Sequence, residues 1–286
     1  MNFVNRVRTV WSWLPAFRVV AEAGHLPTAA QELGIVPSSV SRTVKQLEGE
    51  LGLPLFDRTS KTLALNQAGR TLVAAVREAM RIVDDALGTA IGDDLCGNVG
   101  AAASSDLLYA VLIPAAAALA DAYPLLELAT YDADYAEMPE LLLRGEVDAA
   151  ITTQAPSTHP DLTTTEIASW SRSIYSRSPQ PPESRCAVVG TPLAAMDDGW
   201  PPDRERIVRA WAPDERAALE LCARSDLATT AFDAVVRASG FTQRLTRMPV
   251  LEIPSRTLYV LQRRAVGRHR RTEALVDAIR RAAQQA

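Results

Sequence analysis

Three short helical patterns, each closed by a single glycine, constrain the fold of this chain more than any other feature. The patterns cover residues 11–23, 28–33 and 37–51, and the closing glycines are Gly24, Gly34 and Gly52. Glycine often follows a helix because it adopts the left-handed conformation without strain. Pro37 suits the first turn of the third helix, where its missing N–H costs nothing. The sequence therefore predicts helices joined by short turns, with a helix-turn-helix arrangement at residues 28–51.

The third predicted helix has two chemically different faces. Apolar residues recur at helical spacing and form a seam of Val40, Val44, Leu47 and Leu51. The opposite face carries hydroxyl, amide and cationic side chains, namely Ser38, Ser39, Ser41, Arg42, Lys45 and Gln46. An α-helix fits the major groove of B-DNA, where such side chains contact base edges and phosphates. The alternative interpretation is an ordinary exposed helix face, which is also polar.

Residues 53–65 predict a β-hairpin with a polar tip that carries Arg58 and Lys61. Beside a helix-turn-helix such a hairpin is a wing, and its cations reach backbone phosphates or the minor groove. The alternative is a solvated turn without function.

A long helix is predicted from residue 67 to about residue 90, with Asn66 as its N-cap. Small and apolar residues recur along it at alternating spacings of four and three: Leu72, Val76, Ala79, Val83, Ala86 and Ala90. A heptad-like seam suits a partner helix and hence a dimer, whereas the alternative is packing on the chain's own core. A turn-like stretch at residues 92–98 follows. The expected domains are residues 1–65, 66–92 and 93–286.

The stretch from Phe17 to Gly69 resembles the winged helix-turn-helix of the LysR-type transcriptional regulators. The motifs that carry the resemblance are Phe17, Ala21, Gly24, Ala29-Ala30, Leu33, Pro37 to Arg42, Gln46-Leu47-Glu48, Leu51-Gly52, Leu55-Phe56, Arg58 and Leu65 to Gly69. The resemblance implies a cytoplasmic regulator that binds double-stranded promoter DNA as a dimer or tetramer. Two positions depart from the family pattern, because Pro27 and Val36 stand where a hydroxyl residue usually caps each helix.

Beyond residue 93 the chain alternates short β-type runs with helices, as in α/β folds. Strands are expected at residues 99–103, 126–130 and 149–152, and helices at residues 106–122, 138–144 and from 272 to the C-terminus. This pattern resembles the family's effector domain, which has two α/β subdomains of the periplasmic-binding-protein type. The second subdomain is expected to begin near Leu162, and the chain to cross back near Pro254.

Ligands of open α/β sheets bind beyond the carboxyl ends of strands, where helix N-termini favour anions. Hydroxyl and amide residues stand at such places in both halves of this region: Ser104, Ser105, Thr152, Thr153, Gln154, Thr229 and Thr230. We expect them to line a cleft for a small effector, with an anion as the preferred class. The alternative is that they serve only as helix caps and turn residues.

Enzymatic, metal and membrane functions find little support. The sequence contains no GxGxxG, GxxxxGK[ST], GxSxG or HExxH motif, and its three cysteines and three histidines are scattered, so no cofactor or metal is expected. The apolar stretch at residues 107–120 is shorter than the ~20 residues of a membrane span. The chain is acidic, with a net charge of −4, but its first 65 residues hold seven Lys and Arg against five Asp and Glu. A second hypothesis is a small-molecule receptor whose N-terminal region mediates protein contacts.

Overall fold

The structure is a computed structural model of the chain. It describes residues 3–57, 63–91, 95–154, 158–178, 185–191, 194–195, 199–200, 205–248, 253–264 and 269–286. The chain divides into two compact units, residues 1–91 and residues 92–286. The division falls at the start of the turn-like stretch at residues 92–98, and the two units are described separately below.

The N-terminal unit is helical, with one small hairpin. Its elements are α1 (Phe3–Val10), a 3-10 turn (Trp11–Trp13), α2 (Leu14–Ala23), α3 (Leu26–Leu33), α4 (Pro37–Leu51), β1 (Phe56–Asp57), β2 (Ala64–Leu65) and α5 (Gln67–Ile91). Helix α1 was not predicted, and it is attached through Val10, which is buried in the same core as Phe17 and Leu47. The apolar seam of α4 therefore faces this core, as its spacing predicts.

The helix ends explain the glycine pattern. Gly34 and Gly52 adopt left-handed backbone conformations with φ of 65° and 70°, and their N–H groups donate to carbonyls of the preceding helix. Helix α3 begins at Leu26, two residues earlier than predicted, with His25 as its N-cap and Pro27 in its first turn. Neither His25 nor Val36 caps its helix with a side-chain hydrogen bond.

The hairpin and α5 are fixed to the same core. Strands β1 and β2 pair antiparallel, and the Phe56 ring meets the Phe17 ring edge-on with centroids 5.8 Å apart. The Asn66 side chain caps α5 by accepting a hydrogen bond from the Gly69 N–H at 2.9 Å, as predicted. An ion pair of 2.8 Å between Arg77 and Glu22 ties α5 to α2.

The C-terminal unit is a mixed α/β structure. Its strands are β3 (Gly97–Ala103), β4 (Leu126–Asp132), β5 (Ala149–Thr152), β6 (Leu162–Ser176), β7 (Arg185–Thr191), β8 (Ala194–Ala195), β9 (Ile207–Ala212), β10 (Ala228–Phe232), β11 (Thr246–Arg247) and β12 (Ile253–Arg263). Its helices are α6 (Ser105–Leu107), which continues through a π turn (Leu108–Leu112) into α7 (Ile113–Ala122), then α8 (Met138–Leu143), α9 (Glu215–Arg224), α10 (Asp233–Ala238) and α11 (Arg270–Gln285).

Two long strands join the halves of this unit. Within the described residues the strands form one sheet in the order β4-β3-β5-β12-β6-β10-β7-β8, with β9 beside β7 and β11 beside β6. Strands β6 and β12 pair antiparallel along most of their length and begin at Leu162 and Ile253, where the two crossings were expected. The parallel group β4-β3-β5 lies on one side of them and β10-β7-β9 on the other.

One helical stretch, Ser105–Ala122, is long and apolar enough by composition alone to cross a membrane. In the fold it serves another purpose, because its inward residues, including Leu107, Val111 and Leu119, are buried in the main core of the C-terminal unit. Leu275 and Ile279 of α11 pack in the same core. Core packing therefore explains the inward apolar residues of this stretch, whereas Tyr109 and Ile113 are exposed, at 47% and 42%.

Candidate nucleic-acid interface and effector cleft

Helix α4 presents the polar face that the sequence predicts. Val40 and Leu47 are fully buried on its inner side, which fixes the rotation of the helix about its axis. On the outer side Ser38, Ser39, Arg42, Lys45 and Gln46 are exposed and Ser41 is half-buried. Five of these six side chains line one open surface depression: Ser38, Ser41, Arg42, Lys45 and Gln46. The structure thus brings together the predicted DNA-contacting residues of α4.

The two cations on this face are available for a partner. Among the residues that the structure describes, neither Arg42 nor Lys45 forms an ion pair or a side-chain hydrogen bond. Lys45 also lines a second depression, which extends past Pro54 to Asp57 at the base of the hairpin. Unpaired cations on an exposed helix are suited to phosphates, since their binding releases counterions from DNA.

The hairpin base is held firmly against the helices. The Leu55 N–H donates to Glu48 Oε1 at 2.7 Å, and the Leu63 N–H donates to the Gly24 carbonyl at 3.3 Å. The tip, with the predicted wing cations Arg58 and Lys61, lies outside the described residues. The observed base places a hairpin directly after α4, as a winged helix-turn-helix requires.

The predicted seam of α5 has two environments. In its first part Val76 is buried and Leu72 packs on the N-terminal core, with Ala79 half-buried. In its second part Val83, Ala86 and Ala90 are exposed. Ile82 and Leu87, which the seam did not include, are also exposed, at 43% and 58%. An apolar surface therefore occupies the C-terminal half of α5.

The predicted effector residues fall into two groups. Strands β3 and β5 are parallel neighbours with Ala103 beside Ile151, so Ser104 and Thr152 follow at the same edge of the sheet. There the Ser105 hydroxyl donates to Asp132 at 2.7 Å, and the buried Thr152 hydroxyl accepts from the Gln154 N–H at 3.0 Å. Thr153 next to them is half-buried, and Gln154 is exposed.

Thr229 and Thr230 form the second group, and they are buried inside β10 rather than at its carboxyl end. The Thr229 hydroxyl donates to the Thr230 carbonyl at 3.4 Å. The Thr230 hydroxyl has no hydrogen-bond partner among the described residues. The two groups thus belong to different halves of the sheet.

A set of contacts between the two halves was missed by the sequence analysis. Asp106 in α6 accepts a hydrogen bond from the Glu215 N–H at the start of α9, at 2.9 Å. Glu215 is buried, forms an ion pair with the buried Arg172, and accepts from the Phe232 N–H at 3.1 Å. The Arg172 guanidinium lies 4.4 Å above the Phe232 ring. A chain of charges therefore links α6, α9, β6 and β10.

The same contacts alter the acidity of Asp106. Burial, followed by the negative charge of Asp214, raises the pKa of Asp106 to about 7, although the Arg172 charge opposes the shift. The N–H groups at the start of α9 are already bound by protein carboxylates, since Asp214 accepts from the Ala217 N–H at 2.7 Å. No sequence signal pointed to Asp106 and Glu215, because they are 109 residues apart.

Metal and thiol chemistry receive no geometric support within the part of the chain that the structure describes. No group of three or more His, Cys, Asp or Glu side chains there is placed to hold a metal ion. Among these described residues Cys96, Cys186 and Cys222 form no disulfide, and Cys186 and Cys222 are buried whereas Cys96 is half-buried.

Comparison with known proteins agrees with this geometry. Residues 11–70 match the family described as "Bacterial regulatory helix-turn-helix protein, lysR family", and residues 93–284 match the LysR substrate binding domain. The chain belongs to the LysR family. The LysR resemblance proposed from the sequence and its α/β fold class are thereby confirmed. The matched LysR region starts at Trp11, so helix α1 precedes it.

Curated relatives match about half of this chain. The regulator IlvR of Caulobacter vibrioides is 32% identical over 49% of this chain and 48% of its own length. The regulator IlvY of Escherichia coli is 30% identical over 48% of this chain and 47% of its own length. The chain thus spans about half the length of these relatives.

Solved structures of LysR-type proteins share the fold along most of the chain. A single-substitution variant of full-length OxyR from Pseudomonas aeruginosa has a TM-score of 0.72 at 19% identity, covering 94% of this chain and 93% of its own. LysG from Corynebacterium glutamicum with bound effector Arg has a TM-score of 0.66 at 20% identity, covering 96% and 97%. At these identities the likeness establishes the fold.

Proposed function

We propose that this protein is a sequence-specific transcriptional regulator that binds double-stranded promoter DNA and responds to a small molecule. The observation that carries the proposal is the exposed face of α4, where Arg42 and Lys45 are unpaired within the described residues beside Ser38, Ser41 and Gln46. Two free cations among hydroxyl and amide groups match the donor and acceptor pattern of the major groove. Because the LysR family consists of transcriptional regulators, we assign the protein no enzymatic activity and place it in the cytoplasm.

Each residue of the interface has a proposed role. Arg42 donates to a guanine edge, Lys45 binds a phosphate or a guanine, and the serines and Gln46 contact bases or phosphates. Arg58 and Lys61 at the wing tip bind the DNA backbone beside the groove that α4 occupies.

Dimerisation is assigned to α5. The exposed apolar surface of its C-terminal half, around Val83, Ala86 and Ala90, is continuous along the helix and suits a second copy of the same helix. The first part of the seam consists of Leu72, Val76 and Ala79. These residues lie against the N-terminal unit itself and hold α5 in position for dimerisation. Further assembly to a tetramer is assigned to the C-terminal units.

The effector is proposed to bind in the C-terminal unit near Ser104, Ser105 and Thr152, with Thr153 and Gln154 beside them and Thr229 and Thr230 contributed by the other half. Its binding shifts the population between more open and more closed arrangements of the two halves. The dimer transmits that shift to the spacing of the two α4 helices on DNA.

The replacement Arg42→Ala tests the DNA assignment. We expect it to weaken binding to the operator about fivefold or more, because a bidentate contact to guanine contributes about 1–3 kcal/mol of discrimination. Binding is measured by fluorescence anisotropy, and the footprint by nuclease protection. Arg264→Ala is the matched control, since Arg264 is exposed in the C-terminal unit. Unchanged affinity together with an unchanged footprint would contradict the assignment.

The competing hypothesis is a small-molecule receptor whose N-terminal unit binds only protein. A mobility-shift assay with the DNA upstream of its own gene separates the two. A shift that disappears as salt is raised supports the regulator, and no shift at low salt supports the receptor.

A further inference from the structure

Two large aliphatic side chains are exposed immediately before α4. Ile35 is 45% exposed and Val36 is 60% exposed, and Pro37 begins the helix directly after them. Both belong to the described part of the N-terminal unit, whose other aliphatic residues mostly pack in its core. These two exposed side chains therefore lie at the N-terminal end of α4, next to its polar outer face.

The position of Val36 makes its side chain unusual. Val36 is the N-cap of α4, and its carbonyl accepts a hydrogen bond from the Ser39 N–H at 2.9 Å. A Ser, Thr, Asp or Asn side chain at this position stabilises a helix by accepting from a free N–H, which valine does not do. Val36 thus neither caps the helix nor contributes to the core, so the folded protein alone gives no reason for it.

The surface around Val36 is continuous with the proposed DNA interface. Ser38 follows two residues later and lines the same depression as Ser41, Arg42 and Lys45. When α4 lies in the major groove, groups at its N-terminal end lie nearest the base edges. An isopropyl group there meets base edges that are polar except for one feature, the C5-methyl group of thymine.

We propose that Val36 reads thymine through contact with its C5-methyl group, with Ile35 beside it, and that Val36 is a specificity-determining residue of the regulator. The proposal rests on the DNA-binding function proposed above. It explains why an apolar residue occupies a position at which a hydroxyl would stabilise the helix.

The test removes the methyl group from the DNA rather than from the protein. An operator duplex is selected from random sequence by the full-length protein, and each thymine is replaced in turn by deoxyuridine, which keeps the pairing edge. We expect one or two replacements to weaken binding about fourfold, the factor that corresponds to the burial of one methylene-sized group. Val36→Ser is expected to bind the thymine and deoxyuridine duplexes equally.

Two controls separate the possible failures. Thermal unfolding of Val36→Ser is expected to shift upward, because serine caps α4, so weaker binding is not a result of unfolding. Arg42→Ala is expected to bind every duplex more weakly but to keep the thymine-to-deoxyuridine ratio. If the wild type is insensitive to every replacement, or if Val36→Ser keeps the full ratio, the thymine contact is refuted while DNA binding stands. If the wild type selects no duplex at all, both proposals fail.

Discussion

At Gly69, in the first turn of α5, any side chain is expected to destabilise the N-terminal unit. A Cβ atom built at this position would lie 2.1 Å from the Leu55 carbonyl oxygen and 2.7 Å from Leu65 Cδ2. The Leu55 backbone has no freedom to retreat, because its N–H donates to Glu48 at 2.7 Å and its carbonyl accepts from the Asn66 N–H at 3.0 Å. The replacement Gly69→Ala therefore forces the base of the wing away from α5.

The size of the effect follows from opposing contributions. Overpacking of this kind costs about 1–3 kcal/mol, and a lost backbone hydrogen bond costs about 0.5–1.5 kcal/mol. Replacing glycine by alanine within a helix stabilises it by about 1 kcal/mol, which offsets part of this cost. We expect Gly69→Ala to lower the free energy of unfolding of the N-terminal unit by about 2 kcal/mol, the middle of the range that these contributions allow.

Gly49 provides the matched control. It is exposed near the end of α4 and an added Cβ would meet no atom within 4 Å. Gly49→Ala is therefore expected to stabilise the same unit by about 0.5–1 kcal/mol. Hydrogen exchange of full-length protein, followed by mass spectrometry of peptides from α2 to α5, compares the two variants. The reasoning is refuted if Gly69→Ala exchanges as slowly as Gly49→Ala.

Two further predictions concern the C-terminal unit. Burial raises the pKa of Cys222 to about 12. Iodoacetamide at pH 8 is therefore expected to label Cys96 in the native protein but not Cys222, which peptide mass spectrometry measures. Equal labelling of both cysteines would contradict the buried placement of Cys222. Because the pKa of Asp106 is raised from 3.8 to about 7, its contribution to stability is complete below pH 4 and is lost as the pH rises through 7. Urea unfolding between pH 5 and pH 8 should therefore depend less on pH in Asp106→Asn, and an unchanged slope would exclude Asp106 as the source.

The N-terminal unit could be predicted well because its signals are local. The start of α4 at Pro37 and its end before Gly52 depend on the preferences of single residues, and the rotation of the helix follows from the spacing of its apolar seam. Helix α1 was missed because it is attached to the core through Val10. A helix this short shows no repeat of apolar residues from which the burial of Val10 could be predicted. The sequence did not distinguish the exposed C-terminal part of α5 from its buried N-terminal part, because apolar residues have the same spacing in both.

The C-terminal unit was predicted in outline but not in its contacts. Strand positions near Val99, Leu126 and Ala149 follow from apolar runs between turns, and the structure agrees with them. The pairing of β6 with β12 joins segments about a hundred residues apart, and no local preference records which strands become neighbours. Hydroxyl residues at strand ends could be predicted because strand ends have local sequence signals. The Arg172–Glu215 ion pair could not be predicted, because it joins distant segments.

The contacts at the start of α9 bear on the chemical class of the effector. An anionic effector was expected because helix N-termini offer free N–H groups. In the folded chain the Glu215 N–H is already bound by Asp106, and the Ala217 N–H by Asp214. An anion at this helix end would have to displace a protein carboxylate. Its binding free energy there would be only the difference between two similar hydrogen bonds. At the start of α9, therefore, the N–H groups of Glu215 and Ala217 are not available to an anion. The helix N-terminus that the sequence analysis assigned to the effector follows Ser104 and belongs to α6.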